Sequence, residues 1–312
     1  MTGRFKDPRA GAESRHLTRG PPVTIEDALR EALAEAVSGR VSFPRDCQGF
    51  PGTVHGGAVG ALFYRTTTPR PPAELRLSLL RGVPTETPLR LTTGSSGRLA
   101  RLALFQDDRP LAEATLSRDV PSPTDSSPVL AAWQADQRAE GEIPGTTMCV
   151  ACGSVNPLGL RVRFLFNDRL LWREYTPRAE YRAADGWLHP ALATIMLDEL
   201  GWWLGALAQG ECGVTTEVTV TVFRPLPFAP LLVLGDRTSV RAEDDPRGRY
   251  CRARGLLVTP AGELLAAGDV RFAGSRAYTK RLLQPFLETT SPEELFRLFP
   301  SARELHARRA GP

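Results

Sequence analysis

Gly52-Thr-Val-His55-Gly-Gly-Ala-Val-Gly-Ala-Leu-Phe-Tyr64 is followed, later in the chain, by a segment of the same pattern, Gly186-Trp-Leu-His189-Pro-Ala-Leu-Ala-Thr-Ile-Met-Leu-Asp198. Each segment has a glycine-bearing loop, a histidine and then an apolar run of helical length. The chain has only four histidines. Two of them in matching surroundings indicate an internal repeat. Such a repeat determines the architecture of the whole chain.

The segments after the two histidines also match. In each copy, apolar and polar residues alternate up to a proline, and two further strand-like runs follow, separated by a turn. Alternation with a period of two is typical of half-buried β-strands. We therefore predict an α+β fold of two copies, each with one central helix and several antiparallel strands. The predicted strands are Ala73–Pro84, Arg98–Phe105 and Pro110–Leu116 in copy one, and Gly213–Pro225, Tyr250–Thr259 and Glu263–Phe272 in copy two.

The chain divides at a segment rich in proline and serine, Pro121–Pro128, which has the composition of a linker. We predict a disordered N-terminus (1–22), a first domain (23–120), a linker (121–145), a second domain (146–275) and a helical tail (276–312). Further helices are expected at Ile25–Val37 with Thr24 as N-cap, at Leu130–Ala139, and from Ser291 with Pro292 at the first helical position. We expect the tail to be a surface appendage without evident chemistry.

Composition excludes several classes of protein. Of the 312 residues, 42% are hydrophobic and 24% are charged, as in ordinary soluble globular proteins. The net charge of +4 comes without a block of Lys or Arg, so we expect no nucleic-acid partner. No apolar stretch approaches the length of about 18–20 residues that a membrane span needs, and the N-terminus is polar. We therefore expect no membrane association and a cytoplasmic location.

The cysteines indicate neither disulfides nor a metal. There are five, an odd number, in a chain without an apparent export signal. The pair Cys149-x-x-Cys152 is compatible with zinc, but a structural zinc site needs four ligands and the sequence has no second CxxC and no HxxxH. We expect no metal and no cofactor. A serine hydrolase is also not expected, because the sequence has no G-x-S-x-G motif.

The segment Gln48-Gly-Phe-Pro-Gly-Thr-Val-His-Gly-Gly57 resembles the signature of hotdog-fold acyl-CoA thioesterases, in particular the phenylacetate-degradation-type branch. Three segments of copy two resemble other marks of that branch: Cys149–Leu160, Met196–Glu199 and Thr215–Pro225. The resemblance implies a long helix wrapped by a curved antiparallel sheet, with units paired side by side and active sites at their interface. Both units here lie on one chain, so we expect two tandem hotdog domains that form an intrachain pseudo-dimer, with a further homodimer left open.

The family motif is divided between the copies. Copy one keeps His55-Gly56-Gly57 but has Tyr64 at the acid position, whereas copy two keeps Asp198 but has Pro190 after its histidine. Proline has no N–H to donate. Nine residues separate each histidine from its acid position, which is roughly 13 Å along a helix and beyond hydrogen-bond reach. We therefore expect one composite site, in which the start of the copy-one helix faces Asp198 of copy two, and an inactive mirrored site.

The predicted function is hydrolysis of an acyl-CoA or acyl-carrier thioester at that site. Asp198 is expected to act as general base or nucleophile, and the amides at the helix start to hold the oxyanion. Two rival functions are a catalytically silent acyl-CoA-binding or regulatory protein and, less favoured, an enoyl-CoA hydratase or dehydratase. The predicted catalytic residues are Asp198, Gly57, Gly56, His55 (a loop brace or a substrate contact) and Thr215 (which orients the acid or water), and the predicted substrate-binding residues are Gln48, Glu199 and Trp202.

Overall fold

The computed structural model describes residues 24–123 and 125–310, so the predicted disorder of residues 1–22 lies outside the described residues. Within these ranges the chain forms one antiparallel sheet of 13 strands, a two-stranded hairpin and seven α-helices. Two central helices, Gly56–Thr67 and Ala191–Gln209, lie against this sheet and against each other. The α+β class and the central helices are as the sequence predicted.

The first half of the chain carries one central helix and its strands. Its first helix begins at Thr24, whose hydroxyl accepts a hydrogen bond from the Asp27 N–H, as predicted, but the helix ends at Ala32 rather than at Val37. The elements are α1 (Ile25–Ala32), β1 (Arg40–Val41), β2 (Gln48–Phe50), β3 (Thr53–Val54), α2 (Gly56–Thr67), β4 (Ala73–Leu79), β5 (Leu89–Ser96), β6 (Leu99–Gln106), β7 (Arg109–Ser117) and, in the predicted linker, α3 (Ser127–Ala135).

The second half repeats this plan around a longer helix. Two glycines of that helix, Gly201 and Gly205, lie so close to the side chains of Val270 and Phe272 that a Cβ at either position would clash. The elements are β8 (Gly141–Glu142), β9 (Leu165–Phe166), β10 (Leu170–Tyr175), α4 (Ala191–Gln209), β11 (Gly213–Val222), β12 (Leu231–Asp236), β13 (Arg241–Ala242), β14 (Tyr250–Val258) and β15 (Leu264–Gly274).

The two halves join edge to edge in the middle of the sheet. Strand β4 pairs with β11 in antiparallel register, from Ser78 opposite Glu217 to Ala73 opposite Val222. The strand order is β1-β5-β6-β7-β4-β11-β15-β14-β12-β10-β9-β8, with β13 beside β14. This pairing places α2 and α4 next to each other, so that residues from both halves can share one site.

The C-terminal tail is part of the fold, which corrects the expectation of a surface appendage. It forms α5 (Arg276–Leu287), α6 (Pro292–Leu298) and α7 (Pro300–Ala310). Ser291 caps α6 with Pro292 at the first helical position, as predicted. Phe286 and Phe299 are buried and pack on the Trp203 ring of α4, with ring centroids 5.6 and 6.0 Å away.

One helix, α4, is long and apolar enough to cross a membrane by length and composition, contrary to the expectation from sequence. It is nevertheless mostly buried against the sheet, α2 and α5, and carries Asp198 and Glu199 in its middle. Its apolar character is therefore explained by its position in the core of a globular fold.

Candidate active site

A cavity of about 250 Å³ opens between the two halves and the tail helix α5. Its walls come from the loop before α2, the end of β4, the middle of α4, the start of β11 and α5. The loop that carries the two cysteines closes one side. The residues that line the cavity include Phe50, His55, Gly56, Arg81, Cys149, Cys152, Asp198, Glu199, Trp202, Trp203, Thr215, Tyr278, Arg281 and Phe286.

The start of α2 meets the middle of α4 at this cavity. His55 is the N-cap of α2, and its Nδ1 lies 3.1 Å from the Gly57 N–H. The same N–H donates to Oδ2 of Asp198 at 2.7 Å. A hydrogen bond therefore joins the start of α2 to Asp198 of α4, although Gly57 and Asp198 are 141 residues apart in sequence.

The two glycines at this helix start have different surroundings. A Cβ on Gly57 would lie 2.4 Å from the Thr194 carbonyl oxygen and 2.5 Å from the Ile195 Cα, so Gly57 allows α2 to approach α4 closely. A Cβ on Gly56 would instead meet the side chains of Leu79 and Asp198, at 2.7 and 2.8 Å. Gly56 lines the cavity, and its N–H donates no hydrogen bond to any of the described residues.

Asp198 is buried, with 3% of its surface exposed, and is held by donors on both oxygens. The Thr215 hydroxyl donates to Oδ1 at 2.8 Å, and the Gly57 N–H donates to Oδ2. Burial raises the pKa of Asp198 above its ordinary value, against the opposing effects of His55, Thr215 and Gly57. A carboxylate in this setting is oriented, poorly solvated and disposed to accept a proton, which are properties of a general base.

His55 lies between two carboxylates. Its Nδ1 is 3.2 Å from Asp198 Oδ2, and its Nε2 is 3.1 Å from Glu199 Oε2. Burial opposes the imidazolium charge, but the Glu199 hydrogen bond and the Asp198 charge raise the pKa of His55 to about 9. The Trp203 indole N–H donates to the other oxygen of Glu199 at 3.0 Å. His55 thus connects the start of α2 to both acids of α4.

The corresponding position in the other half is built differently. His189 stands before α4, and its Nδ1 lies 3.0 Å from the Ala191 nitrogen, as His55 Nδ1 lies 3.1 Å from the Gly57 nitrogen. Its Nε2 hydrogen-bonds to Glu26 of α1 at 3.1 Å. Tyr64 is buried at the acid position, and its hydroxyl has no hydrogen-bond partner in the described part of the chain. Helix α1 therefore closes this position through Glu26.

Six of the eight predicted site residues line the cavity: Asp198, Gly56, His55, Thr215, Glu199 and Trp202. Gly57 lies behind the cavity wall at the contact between helices. Gln48 is buried in the loop before α2, where its side-chain oxygen accepts from the Gly52 N–H at 3.3 Å, and it does not reach the cavity wall. Gln48 therefore stabilises the loop before α2 and does not contact the cavity.

The sequence did not point to the contribution of the tail. Tyr278, Arg281 and Phe286 of α5 line the cavity, and the Tyr278 ring lies 6.0 Å from the Phe50 ring. The spacing of apolar residues does not identify the surface on which a helix packs. The contact of α5 with the cavity therefore could not be predicted from the sequence. Cys149 and Cys152 also line the cavity. Their CxxC spacing is compatible with zinc but did not predict this position.

No protein-family profile and no curated protein match the chain. Solved structures do match it. A protein provisionally named thioesterase II from Thermobifida fusca YX is 15% identical, has a TM-score of 0.51, and is matched over 76% of this chain and 94% of that chain. A conserved protein of unknown function with a hot dog fold from Alicyclobacillus acidocaldarius is 12% identical, with a TM-score of 0.49 and coverage of 80% and 98%.

A third match is the dehydratase domain of PpsC from Mycobacterium tuberculosis, whose structure contains C12:1-CoA. It is 15% identical, has a TM-score of 0.49, and is matched over 76% of this chain and 92% of that chain. At such identities a likeness reports on architecture and not on activity. Together with the sheet and its central helices, the match at a TM-score of 0.51 shows that the chain has the hotdog fold.

Proposed function

We propose that this protein is an acyl-CoA thioesterase with one composite site between its two halves. The observation that carries the proposal is the 2.7 Å hydrogen bond between Gly57 at the start of α2 and Asp198 in the middle of α4, beside a cavity that Gly56 lines. Thioester hydrolysis needs donors for the developing oxyanion and a group that attacks or activates water. These two requirements are met here by different halves of the chain.

The Gly56 N–H is the proposed oxyanion donor. It belongs to the first residue of α2, where backbone N–H groups lack helical partners and the helix dipole is positive. The Gly57 N–H is already engaged by Asp198, whereas the Gly56 N–H has no partner among the described residues. The absence of a side chain on Gly56 leaves room for the thioester carbonyl beside Asp198.

Asp198 is the proposed catalytic acid–base or nucleophilic group. As a general base it would take a proton from water while the water oxygen attacks the carbonyl carbon. As a nucleophile its own oxygen would attack, and water would then hydrolyse the resulting anhydride. In both routes the C–S bond breaks and the CoA thiolate takes a proton. Thr215, through its hydrogen bond to Oδ1, positions the carboxylate.

The cavity suggests how the substrate lies. Aromatic side chains surround its interior, with the Trp202 ring 6.3 Å from Phe50. We place the acyl group there, because apolar walls favour its burial. Arg81 and Arg281 also line the cavity, and their guanidinium groups are exposed. We place the phosphates of CoA near them, since guanidinium groups bind phosphate oxygens well.

Several finer assignments belong to the same proposal. They are membership of the phenylacetate-degradation-type branch, a tandem duplication with the predicted domain boundaries, and a cytoplasmic location. The matching N-terminal geometry of α2 and α4, in which a histidine Nδ1 lies 3.0–3.1 Å from the backbone nitrogen two residues further on, supports the duplication. The match to a protein named thioesterase II agrees with the proposed reaction without establishing it.

The test is thiol release from a panel of aromatic and aliphatic acyl-CoAs. The wild-type chain is expected to release CoA, and Asp198→Asn to lower kcat by about 10²–10⁴-fold, because the amide neither accepts a proton nor attacks. Tyr64→Phe is the matched control at the corresponding position of the other half, and is expected to retain activity. Tight acyl-CoA binding without thiol release would favour a silent binding protein, and hydration of an enoyl-CoA without release would favour a hydratase.

A further inference from the structure

Three buried side chains at the inner end of the cavity can ligate a metal ion together. They are His55, Cys149 and Glu199, and one donor atom from each lies within 4.8 Å of the donor atoms of the other two. They come from three separate elements: the cap of α2, the loop before β9 and the middle of α4. The His55 Nε2 is the ring nitrogen that faces Glu199, at 3.1 Å from Oε2.

This set of donors has the composition of a zinc site. Imidazole nitrogen, thiolate sulfur and carboxylate oxygen are the three ligand types of Zn²⁺, with bonds of about 2.0–2.3 Å. Tetrahedral coordination at such bond lengths needs donor atoms that are roughly 3.3–3.8 Å apart. The His55–Glu199 pair is already close to this separation, and the other two pairs lie within 4.8 Å, so each needs to approach by no more than about 1.5 Å.

Each of the three ligands is also oriented by a neighbour. His55 Nδ1 lies 3.2 Å from Asp198 Oδ2, which leaves Nε2 to face the other ligands. The Trp203 N–H holds Oε1 of Glu199 and leaves Oε2 available. The Ala151 N–H donates to Cys149 Sγ at 3.3 Å. A histidine that hydrogen-bonds a carboxylate through its other nitrogen, together with hydrogen-bonded carboxylate and thiolate ligands, is the usual outer shell of zinc sites.

We propose that His55 Nε2, Cys149 Sγ and Glu199 Oε2 bind one Zn²⁺ ion, with the fourth position open to the cavity. Binding replaces the Nε2 proton of an imidazole that keeps its Nδ1 proton facing Asp198, and also the proton on the Cys149 thiol, and both released protons pass to solvent. The sequence excluded zinc because it has no second CxxC and no HxxxH. The fold supplies the missing ligands from residues that are far from Cys149 in sequence.

The experiment measures zinc in the full chain by elemental analysis after removal of metal with a chelator, reconstitution with Zn²⁺ and dialysis. Wild type is expected to hold about one ion per chain. Cys149→Ser and Glu199→Gln are expected to lose most of it. Cys251→Ser is the matched control, because Cys251 is a buried cysteine on β14 that is not part of the group, and it is expected to retain the ion.

A second readout does not depend on how the variants fold. Wild-type protein reconstituted with Co²⁺ is expected to show a sulfur-to-cobalt charge-transfer band, which reports a thiolate ligand directly. Wild-type protein that binds no ion, equal zinc in Cys149→Ser and Cys251→Ser, or a cobalt spectrum without that band would overturn the proposal. Because the proposed hydrolysis uses Asp198 and Gly56, a protein that releases thiol but takes up no zinc on reconstitution would overturn this inference and leave the proposed function intact.

Discussion

At the residue scale, the position of Asp198 depends on two hydrogen bonds from different elements. Gly57 at the start of α2 and Thr215 on β11 each donate to one carboxylate oxygen. A buried carboxylate without such donors would be costly, since an ionised group loses its hydration on burial. The orientation of the acid is therefore built into the contact between α2, α4 and β11.

We expect Thr215→Val to lower kcat by about 10-fold or more, because a hydrogen bond to a charged group contributes roughly 1.5–3 kcal/mol. Thr215→Ser keeps the hydroxyl and is expected to retain activity. Thr219→Val, on the same strand but away from the cavity, serves as the control. Steady-state kinetics of thiol release give the comparison. Wild-type kcat in Thr215→Val would show that the hydroxyl does not position Asp198.

Gly57→Ala is expected to destabilise the fold, because the added Cβ would lie 2.4 Å from the Thr194 carbonyl oxygen and the helices would have to separate. Overpacking of this kind costs about 1–3 kcal/mol. Gly60→Ala in the same helix is the control, since the nearest atom to its Cβ is a flexible Leu75 methyl at 3.0 Å. Urea unfolding measures both free energies. Equal stability of the two variants would contradict the helix contact.

The position of Asp198 opposite the other half could be predicted from the sequence, because it follows from the geometry of a helix. The nine-residue spacing from each histidine to its acid position already excluded a site within one helix, so Asp198 had to face the other half. The division of roles between Gly56 and Gly57 could not be predicted. It depends on which glycine faces Thr194 of the neighbouring helix, and the spacing along one helix does not carry that information.

At the scale of elements, α5 is the part of the structure that the sequence described least well. It was expected to be an appendage, yet its Phe286 ring packs against both the Trp203 and Phe299 rings, at 5.6 and 6.3 Å. An apolar stripe on a helix predicts that the helix packs against another surface, but it does not identify that surface. Because the covered surface belongs to the candidate site, the stability of α5 and the shape of the cavity are linked.

Phe286→Ala is expected to lower the free energy of unfolding by about 3–5 kcal/mol, the usual cost of removing a buried aromatic ring. Arg303→Ala, on the exposed surface of α7, is expected to change it by less than about 0.5 kcal/mol. Chemical denaturation of both variants gives the comparison. A tail that is only an appendage would give two equally small effects.

The strands show the same limit of sequence patterns. Strands with clear alternation, such as β4 and β11, begin where the sequence predicts, but β4 ends at Leu79 rather than Pro84 and β11 at Val222 rather than Pro225. Strand β12 was missed because Leu231–Leu234 is a continuous apolar run, buried on both faces, and has no period of two. Strand β5 was missed for the opposite reason, since most of Leu89–Ser96 is polar and exposed. Burial on both faces or on neither removes the alternation on which the prediction depends.

At the scale of the whole molecule, each half has one central helix against the sheet, but the starts of these two helices differ in chemistry. One junction of helices has Gly56 and Asp198 at an open cavity. The other has Pro190, which lacks an N–H, the buried Tyr64 ring, and α1 bound to His189 through Glu26. Arg65 also holds Glu26, at 3.0 Å. The second junction is therefore closed by packing and by ion pairs at the place where the first one is open.

This asymmetry predicts one substrate site per chain. Isothermal titration of the Asp198→Asn variant with an acyl-CoA that the wild type hydrolyses is expected to give a stoichiometry of about one, since the start of α2 offers a helix N–H beside a cavity whereas Pro190 at the start of α4 has no N–H. Tyr64→Phe in the same background is expected to leave that value unchanged, because the Tyr64 hydroxyl has no hydrogen-bond partner among residues 24–123 and 125–310. A stoichiometry of two would mean that α1 leaves the second junction accessible, and the asymmetric arrangement of the halves would then have no bearing on binding.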